Sequence, residues 1–229
     1  MKKILFEEIF NFIDKHYHFR RLSNCLQKLK LNNVIDIGFH KGEFFENLFL
    51  KRNCKYYAFE ANPEIYNYSK KKFYNKKLKL FNICIGDKVK KRRFNINHLS
   101  STSSLYKNSR LYNFFEKILL NKKKLSFSIN LPVKPLDDVI IENSISLKNS
   151  LLKIDVEGAE YLVLKGFKKK IKKISYILLE NKFFFKGLAK NIKKIDSFLT
   201  LNNFVLLKRF TYPLLNFEDR LYKNKSIKN

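Results

Sequence analysis

Leu151-Leu152-Lys153-Ile154-Asp155-Val156-Glu157-Gly158-Ala159-Glu160 is an apolar, strand-like run that stops in three carboxylates wrapped around a glycine. Val34-Ile35-Asp36-Ile37-Gly38 and Tyr56-Tyr57-Ala58-Phe59-Glu60 share the design, with β-type residues and then an acid where the strand should stop. Open α/β sheets bind ligands outside the carboxyl ends of their parallel strands, so three such ends predict a single crevice.

Helical and extended patterns alternate around these runs. Strands are predicted at 33–37, 56–60 and 79–85, with one helix over about 43–50 and another that Asn62 caps and Pro63 begins. This βαβαβ order implies parallel strands joined by right-handed crossovers. From Lys88 to about Pro135 the pattern is irregular: a hairpin through Arg93–Ile96, a serine-rich loop at 100–104, a short helix near 111–120 and a strand at 127–133. An insertion of this length between regular units is a candidate substrate lid.

A helix at 136–142, the strand 151–156, a helix from Gly158 with Val163, Phe167 and Ile171 on one face, a strand at 174–180, a helix at 188–201 and a strand at 204–210 follow. The expected fold is α/β: a mostly parallel sheet of six or seven strands flanked by helices, with an insertion before the fourth parallel strand. Two amphipathic helices, marked by Leu5, Ile9, Phe12 and Ile13 and by Leu22, Cys25, Leu26 and Leu29, form an N-terminal cover over 1–32. The α/β domain is assigned to 33–222, and 223–229 is expected to fray.

A chain of 229 residues, 45% of them hydrophobic, can bury a core without disulfides or metals. Cys25, Cys54 and Cys84 are odd in number and lack CxxC spacing, which suits a reducing cytoplasm rather than a disulfide framework or a zinc site. No apolar run approaches the roughly 18 residues of a membrane helix, and Glu7 and Glu8 interrupt any signal-like start. The net charge of +28 suggests nucleic acid, but lysine far outnumbers the arginine that bidentate phosphate recognition favours, and the lysine runs are scattered along the chain. Specific nucleic-acid binding is therefore not expected; attraction to anionic lipid or acidic glycan would act through the summed field.

Asp36-Ile37-Gly38-Phe39-His40-Lys41-Gly42 reads as a strand, a glycine turn and a helix start. With His40 at its middle position it departs from the dinucleotide GxGxxG pattern and suits a smaller polar tail than a pyrophosphate. Glu60, 22 residues after Gly38, is an acid placed to accept both hydroxyls of an adenosine ribose. Acids also occupy strand ends at Asp155 and Glu180, with Asp87 just beyond the third strand. Such a crevice suits a cofactor with a sulfonium and an α-amino group, S-adenosylmethionine, better than the phosphates of NAD or ATP.

The order Val-Ile-Asp-Ile-Gly-Phe-His-Lys-Gly, Ala-Phe-Glu-Ala-Asn-Pro, Cys-Ile-Gly-Asp, Ser-Ser-Leu, Leu-Asp-Asp and Leu-Lys-Ile-Asp-Val-Glu-Gly-Ala-Glu with Val-Leu-Lys-Gly resembles the FkbM-type methyltransferases over about residues 33–182. The resemblance implies a class I methyltransferase fold, S-adenosylmethionine as donor and a hydroxyl acceptor on a sugar or natural product. It also implies that Asp36, Gly38, His40 and Gly42 surround the methionine part, Glu60 the ribose, and Ile85, Gly86 and Asp87 the adenine. His40 stands where many members have asparagine.

Methyl transfer is an in-line displacement in which orientation supplies much of the rate, while a hydroxyl acceptor also gains from a base. Asp155 or Glu157 is the candidate base, and Glu160 belongs to packing or helix capping. A divalent metal held by this cluster with Asp137 or Asp138 is the rival arrangement. His16, His18 and His98 form no constellation; Ser103 and Ser104 are candidates for acceptor contact, although a serine-rich turn needs no function. The leading function is O-methylation of a glycan or glycosylated small molecule. The alternatives are an RNA or protein methyltransferase, which the basic surface suits, and a non-catalytic methyltransferase-like binding module.

Overall fold

The computed structural model describes residues 17–74, 77–97, 103–106, 127–182, 186–211 and 217–227. The first predicted helix, the helix near 111–120, most of the serine-rich loop, His16 and His98 lie outside these residues. In chain order the elements are α1 (Phe19–Leu26), β1 (Asn33–Ile37), α2 (Glu43–Leu48), β2 (Lys55–Phe59), α3 (Pro63–Lys72), β3 (Leu78–Phe81), β4 (Cys84–Gly86), β5 (Lys90–Ile96) and β6 (Phe127–Pro135). They continue as α4 (Leu136–Glu142), β7 (Ser150–Ile154), α5 (Glu160–Lys165), β8 (Tyr176–Lys182), α6 (Lys186–Leu201), β9 (Phe204–Thr211) and β10 (Phe217–Asn224).

Seven strands form one sheet in the order β3-β2-β1-β7-β8-β10-β9. The first five run parallel, and β10 is antiparallel to both β8 and β9. Alternation of side chains across the pleat divides the core into two layers. On one face Ile35, Ile37, Tyr57, Phe59, Leu152 and Ile154 pack with residues of α4, α5 and α6. On the other, Val34, Tyr56, Ala58 and Leu151 meet Leu22 and Leu26 of α1 and the phenylalanines of α2, so α1 covers part of this face. No helix among the described residues is long and apolar enough to cross a membrane.

Beyond shifts of one or two residues at element ends, three features differ from the sequence reading. The run 79–85 is two strands: the Asn82 side chain donates from Nδ2 to the carbonyls of Glu60 at 2.8 Å and Ala61 at 3.3 Å, where the pairing with β2 ends. The chain then enters a second sheet of order β4-β6-β5, in which the expected hairpin partner of 93–96 is β6. The helix after Gly158 ends at Lys165, because Gly166 lies against the Gly86 carbonyl; Phe167 and Ile171 are nevertheless fully buried beyond it.

The third difference is β10, which the sequence conceals. Glu218 and Arg220 are buried within it and paired to each other, and Arg220 also reaches Asp196 of α6 at 3.0 Å. The sequence reading assigns no element to those residues. The strand runs through Asn224, two residues into the expected frayed tail, and Asn224 donates its amide to the Lys172 and Ile174 carbonyls.

Candidate active site

The carboxyl ends of β1, β2, β7 and β8 meet at one edge, and Gly38 is the hinge of that edge. Its φ of +89° is open to glycine, and a Cβ there would fall 1.8 Å from the Asp155 carbonyl oxygen. The end of β1 therefore lies directly against the end of β7. The turn is held from the other side by Phe59, whose carbonyl accepts from the amides of Gly38 and Phe39.

His40 follows in a left-handed conformation with φ of 51°. Its amide donates to Glu60 Oε2 at 2.8 Å and its carbonyl accepts from Ser69 Oγ at 2.7 Å. Glu60 Oε1 accepts from the Asn62 amide at 2.8 Å. Two backbone amides thus fix a buried carboxylate and leave each oxygen a lone pair for a further donor. Burial pushes the Glu60 carboxyl above its usual range, against the amides of Asn62 and His40. The His40 ring is beside Glu43, and their hydrogen bond holds Glu43 below the usual carboxylate range.

Asp36 is enclosed rather than open to the crevice. It is fully buried, accepting from Tyr56 Oη at 2.6 Å and from Lys153 Nζ at 3.1 Å. Lys153 is paired with Asp36 in the β1–β7 register. Its ammonium lies 3.4 Å from the Gly38 carbonyl, 3.4 Å from Asp155 Oδ2 and 5.3 Å above the Phe44 ring. Burial opposes its charge, yet Asp36 and Asp155 outweigh burial and hold the lysine above its ordinary pKa. Lys153 is the site residue that sequence reasoning missed. Its signal was a lysine inside an apolar strand, two residues before Asp155 and therefore on the same face.

Asp155, Glu157 and Glu180 bring one carboxylate oxygen each within 4.8 Å of one another. Glu157 adopts φ of 54° and Gly158 φ of 92°, so the chain reverses sharply around these acids. Glu160 caps the reversal from beneath, Oε1 accepting from the Gly158 amide at 2.9 Å and the Val156 amide at 3.3 Å, the capping role expected of it. Burial, with Glu157 and Asp155 nearby, pushes its carboxyl up to about 7.

A folded-state pKa above the unfolded value contributes stability present below the unfolded pKa and lost as pH rises through the folded one. Ionised Glu160 therefore weakens the fold above about pH 7. Glu160→Gln keeps the acceptor and removes the charge. Its unfolding midpoint should exceed that of the unmodified protein by about 5 °C at pH ~8, corresponding to about 2 kcal/mol, and match it at pH ~4. Calorimetric scans at the two pH values measure the difference.

The other sequence candidates also have partners within the fold. Gly42 has φ of +79°, and a Cβ on it would meet the rings of Phe73 at 2.3 Å and Phe39 at 2.7 Å, so both the backbone and the aromatic packing call for glycine there. Ile85 is buried in the core, Gly86 is pressed between Val133 and Gly166, and Asp87 pairs with Arg92 at 2.9 Å. Ser104 Oγ donates to the Glu157 carbonyl at 2.8 Å, and Ser103 Oγ accepts from the Asn97 amide, so both serines brace loops. Asp137 accepts from the amides of Lys169 and Lys170, which separates it from the acid cluster; Glu180 is the third acid there.

Six parallel strands with one antiparallel strand, β10, inserted before the last, and a glycine turn facing an acid on the next strand, define the class I methyltransferase fold. The methyltransferase FkbM domain model matches residues 36–206, and the chain belongs to that family of methyltransferases. A SAM dependent methyltransferase from Aquifex aeolicus is similar in structure, with a TM-score of 0.50 and 10% identity over 93% of each chain. Precorrin-6y C5,15-methyltransferase from Geobacter metallireducens has a TM-score of 0.47 and 11% identity, covering 90% of this chain and 86% of its own. TrmK from M. capricolum, in complex with S-adenosyl-homocysteine, has a TM-score of 0.45 and 9% identity, covering 91% of this chain and 68% of its own. At 10% identity the likeness to the Aquifex aeolicus protein is one of fold. No curated protein sequence matches the chain.

Proposed function

We propose that the protein transfers a methyl group from S-adenosylmethionine to a hydroxyl of a glycan or glycosylated small molecule. The observation that carries this reading is the meeting of the Gly38 turn, the amide-fixed Glu60 carboxylate and the half-buried acids Asp155 and Glu157 at one sheet edge. The donor, when bound, supplies an electrophilic methyl on a sulfonium.

The residues present fit that donor. Glu60 would offer its remaining lone pairs to the ribose hydroxyls, the backbone of Gly38 and His40 would border the methionine part, and Ile85 to Asp87 would border the adenine. The acids supply a negative field suited to a cationic donor and unfavourable to the phosphates of RNA. Asp155 or Glu157 accepts the proton of the acceptor hydroxyl. Free Cys25, Cys54 and Cys84 support a cytoplasmic site of action.

Replacing Glu60 with alanine removes a charged acceptor worth about 1.5–3 kcal/mol, so donor affinity should fall roughly ten- to a hundredfold by calorimetry. Unchanged affinity would remove Glu60 from the donor site. The acceptor class is tested by comparing glycan masses from cells with and without the gene. Loss of one methylene increment supports the reading, and an unchanged glycan profile with a methylated RNA or protein missing refutes it.

A further inference from the structure

Every parallel strand that carries an acid to the crevice begins at the opposite edge, and lysines collect there. Lys55 opens β2 beside Asn33, the Tyr56 amide donates to the Lys77 carbonyl, the Asn33 side chain to the Lys148 carbonyl at 2.9 Å, and the Asn224 side chain to the Lys172 carbonyl at 3.0 Å. Lys30 and Lys51 stand in the turns that lead into β1 and β2. All six lysines are exposed, and none of the described residues in connections 27–32, 49–54, 73–77, 143–149 and 166–175 is an acid. Lysines that are scattered in the sequence therefore converge on one edge, whose described connecting residues carry no acid. A five-residue strand, roughly 17 Å, separates it from Asp155, Glu157 and Glu180.

The same edge exposes apolar side chains. Tyr74 is 100% exposed, Leu201 82% and Leu50 41%, in the α3–β3 connection, at the end of α6 and in the α2–β2 connection. Lysines around protruding leucines and a tyrosine match a bilayer interface, where ammonium groups meet anionic headgroups and the apolar tips enter the acyl boundary.

Nucleic acid fits less well. Lysine lacks the planar fork that reads phosphates and bases in pairs, and Arg52 is committed to the Leu26 and Leu29 carbonyls. An RNA acceptor would also have to be held around the crevice, at the other end of the strands. We propose that the amino-terminal edge of the large sheet docks on an anionic lipid bilayer, leaving the crevice turned away from the membrane. This does not depend on the identity of the methyl acceptor.

The test is sedimentation of the full chain with vesicles of phosphatidylcholine, with and without phosphatidylglycerol, at physiological ionic strength. Binding should require the anionic lipid. Joint replacement of Lys30, Lys51, Lys55 and Lys148 by glutamine should weaken it by a hundredfold or more, at about fivefold per lysine. A charge-matched variant at Lys91, Arg93, Lys208 and Arg209, exposed on β5 and β9, should retain most of it. Unfolding midpoints verify that both variants are folded. The chain has no tryptophan, so the emission of a Tyr74→Trp variant should shift to the blue only with anionic vesicles. Equal weakening by both variants would assign the binding to the summed field and overturn the edge. Indifference to phosphatidylglycerol, an unshifted emission, or displacement from vesicles by RNA at equal phosphate would overturn the lipid assignment.

Discussion

The Asp155→Asn and Glu157→Gln variants are expected to keep donor affinity near that of the unmodified protein, while the variant lacking the general base loses roughly 10²–10⁴-fold in turnover. The expectation rests on their position: both acids terminate an apolar strand, lie half-buried within 4.8 Å of Glu180, and follow a turn whose backbone is already fixed by Ser104 and Glu160. Amide replacements preserve shape and remove charge, so chemistry is affected more than folding. Single-turnover kinetics with saturating acceptor, alongside calorimetry with S-adenosylmethionine, separate the two effects. The acid whose variant shows the larger loss at unchanged affinity is the base. If both variants stay within about tenfold of the unmodified protein, orientation alone drives transfer and the assignment of a base fails.

The second large effect is one of stability. Lys153→Met should destabilise the protein by about 3–5 kcal/mol in urea unfolding at pH ~8, because Asp36 then remains buried without its counter-charge. Asp36 is fully buried, and beside Lys153 it accepts a hydrogen bond from the Tyr56 hydroxyl. Burial already raises its carboxyl above the usual range, against the pull of Lys153 and Tyr56. Without the ammonium it rises further, so the deficit is smallest below the unfolded pKa and grows as pH climbs through the folded one. Asp36→Asn combined with Lys153→Met should recover much of the loss, since removing both charges removes the desolvation of either. A double variant no more stable than Lys153→Met alone would show that the pair is not what the lysine serves.

Much of the strand-end geometry is readable from the chain. Apolar runs closed by Asp36, Glu60 and Asp155 do bring their ends to one edge, Asn62 caps α3 through the Glu64 amide, and Glu160 caps the reversal before α5. Each of these rests on residues within a few positions of one another, where spacing and side-chain chemistry act through local backbone geometry. Gly42, Asp87 and Ser104 are legible in the sequence only as residue types; the packing on Phe73, the pairing with Arg92 and the hydrogen bond to the Glu157 carbonyl come from the tertiary structure.

The sequence alone determines the parallel α/β plan and the acidic crevice, because periodicity records which face of each strand is buried and where it stops. Packing of the whole chain settles the rest. The register of β1 against β7 puts Lys153 beside Asp36, the insertion of β10 buries Glu218 and Arg220 as a pair, and the shared direction of the parallel strands gathers distant lysines on one edge. In one dimension a buried ion pair and a solvated charge look alike. They differ only in which strand lies alongside, and that is fixed by contacts between residues far apart in the chain.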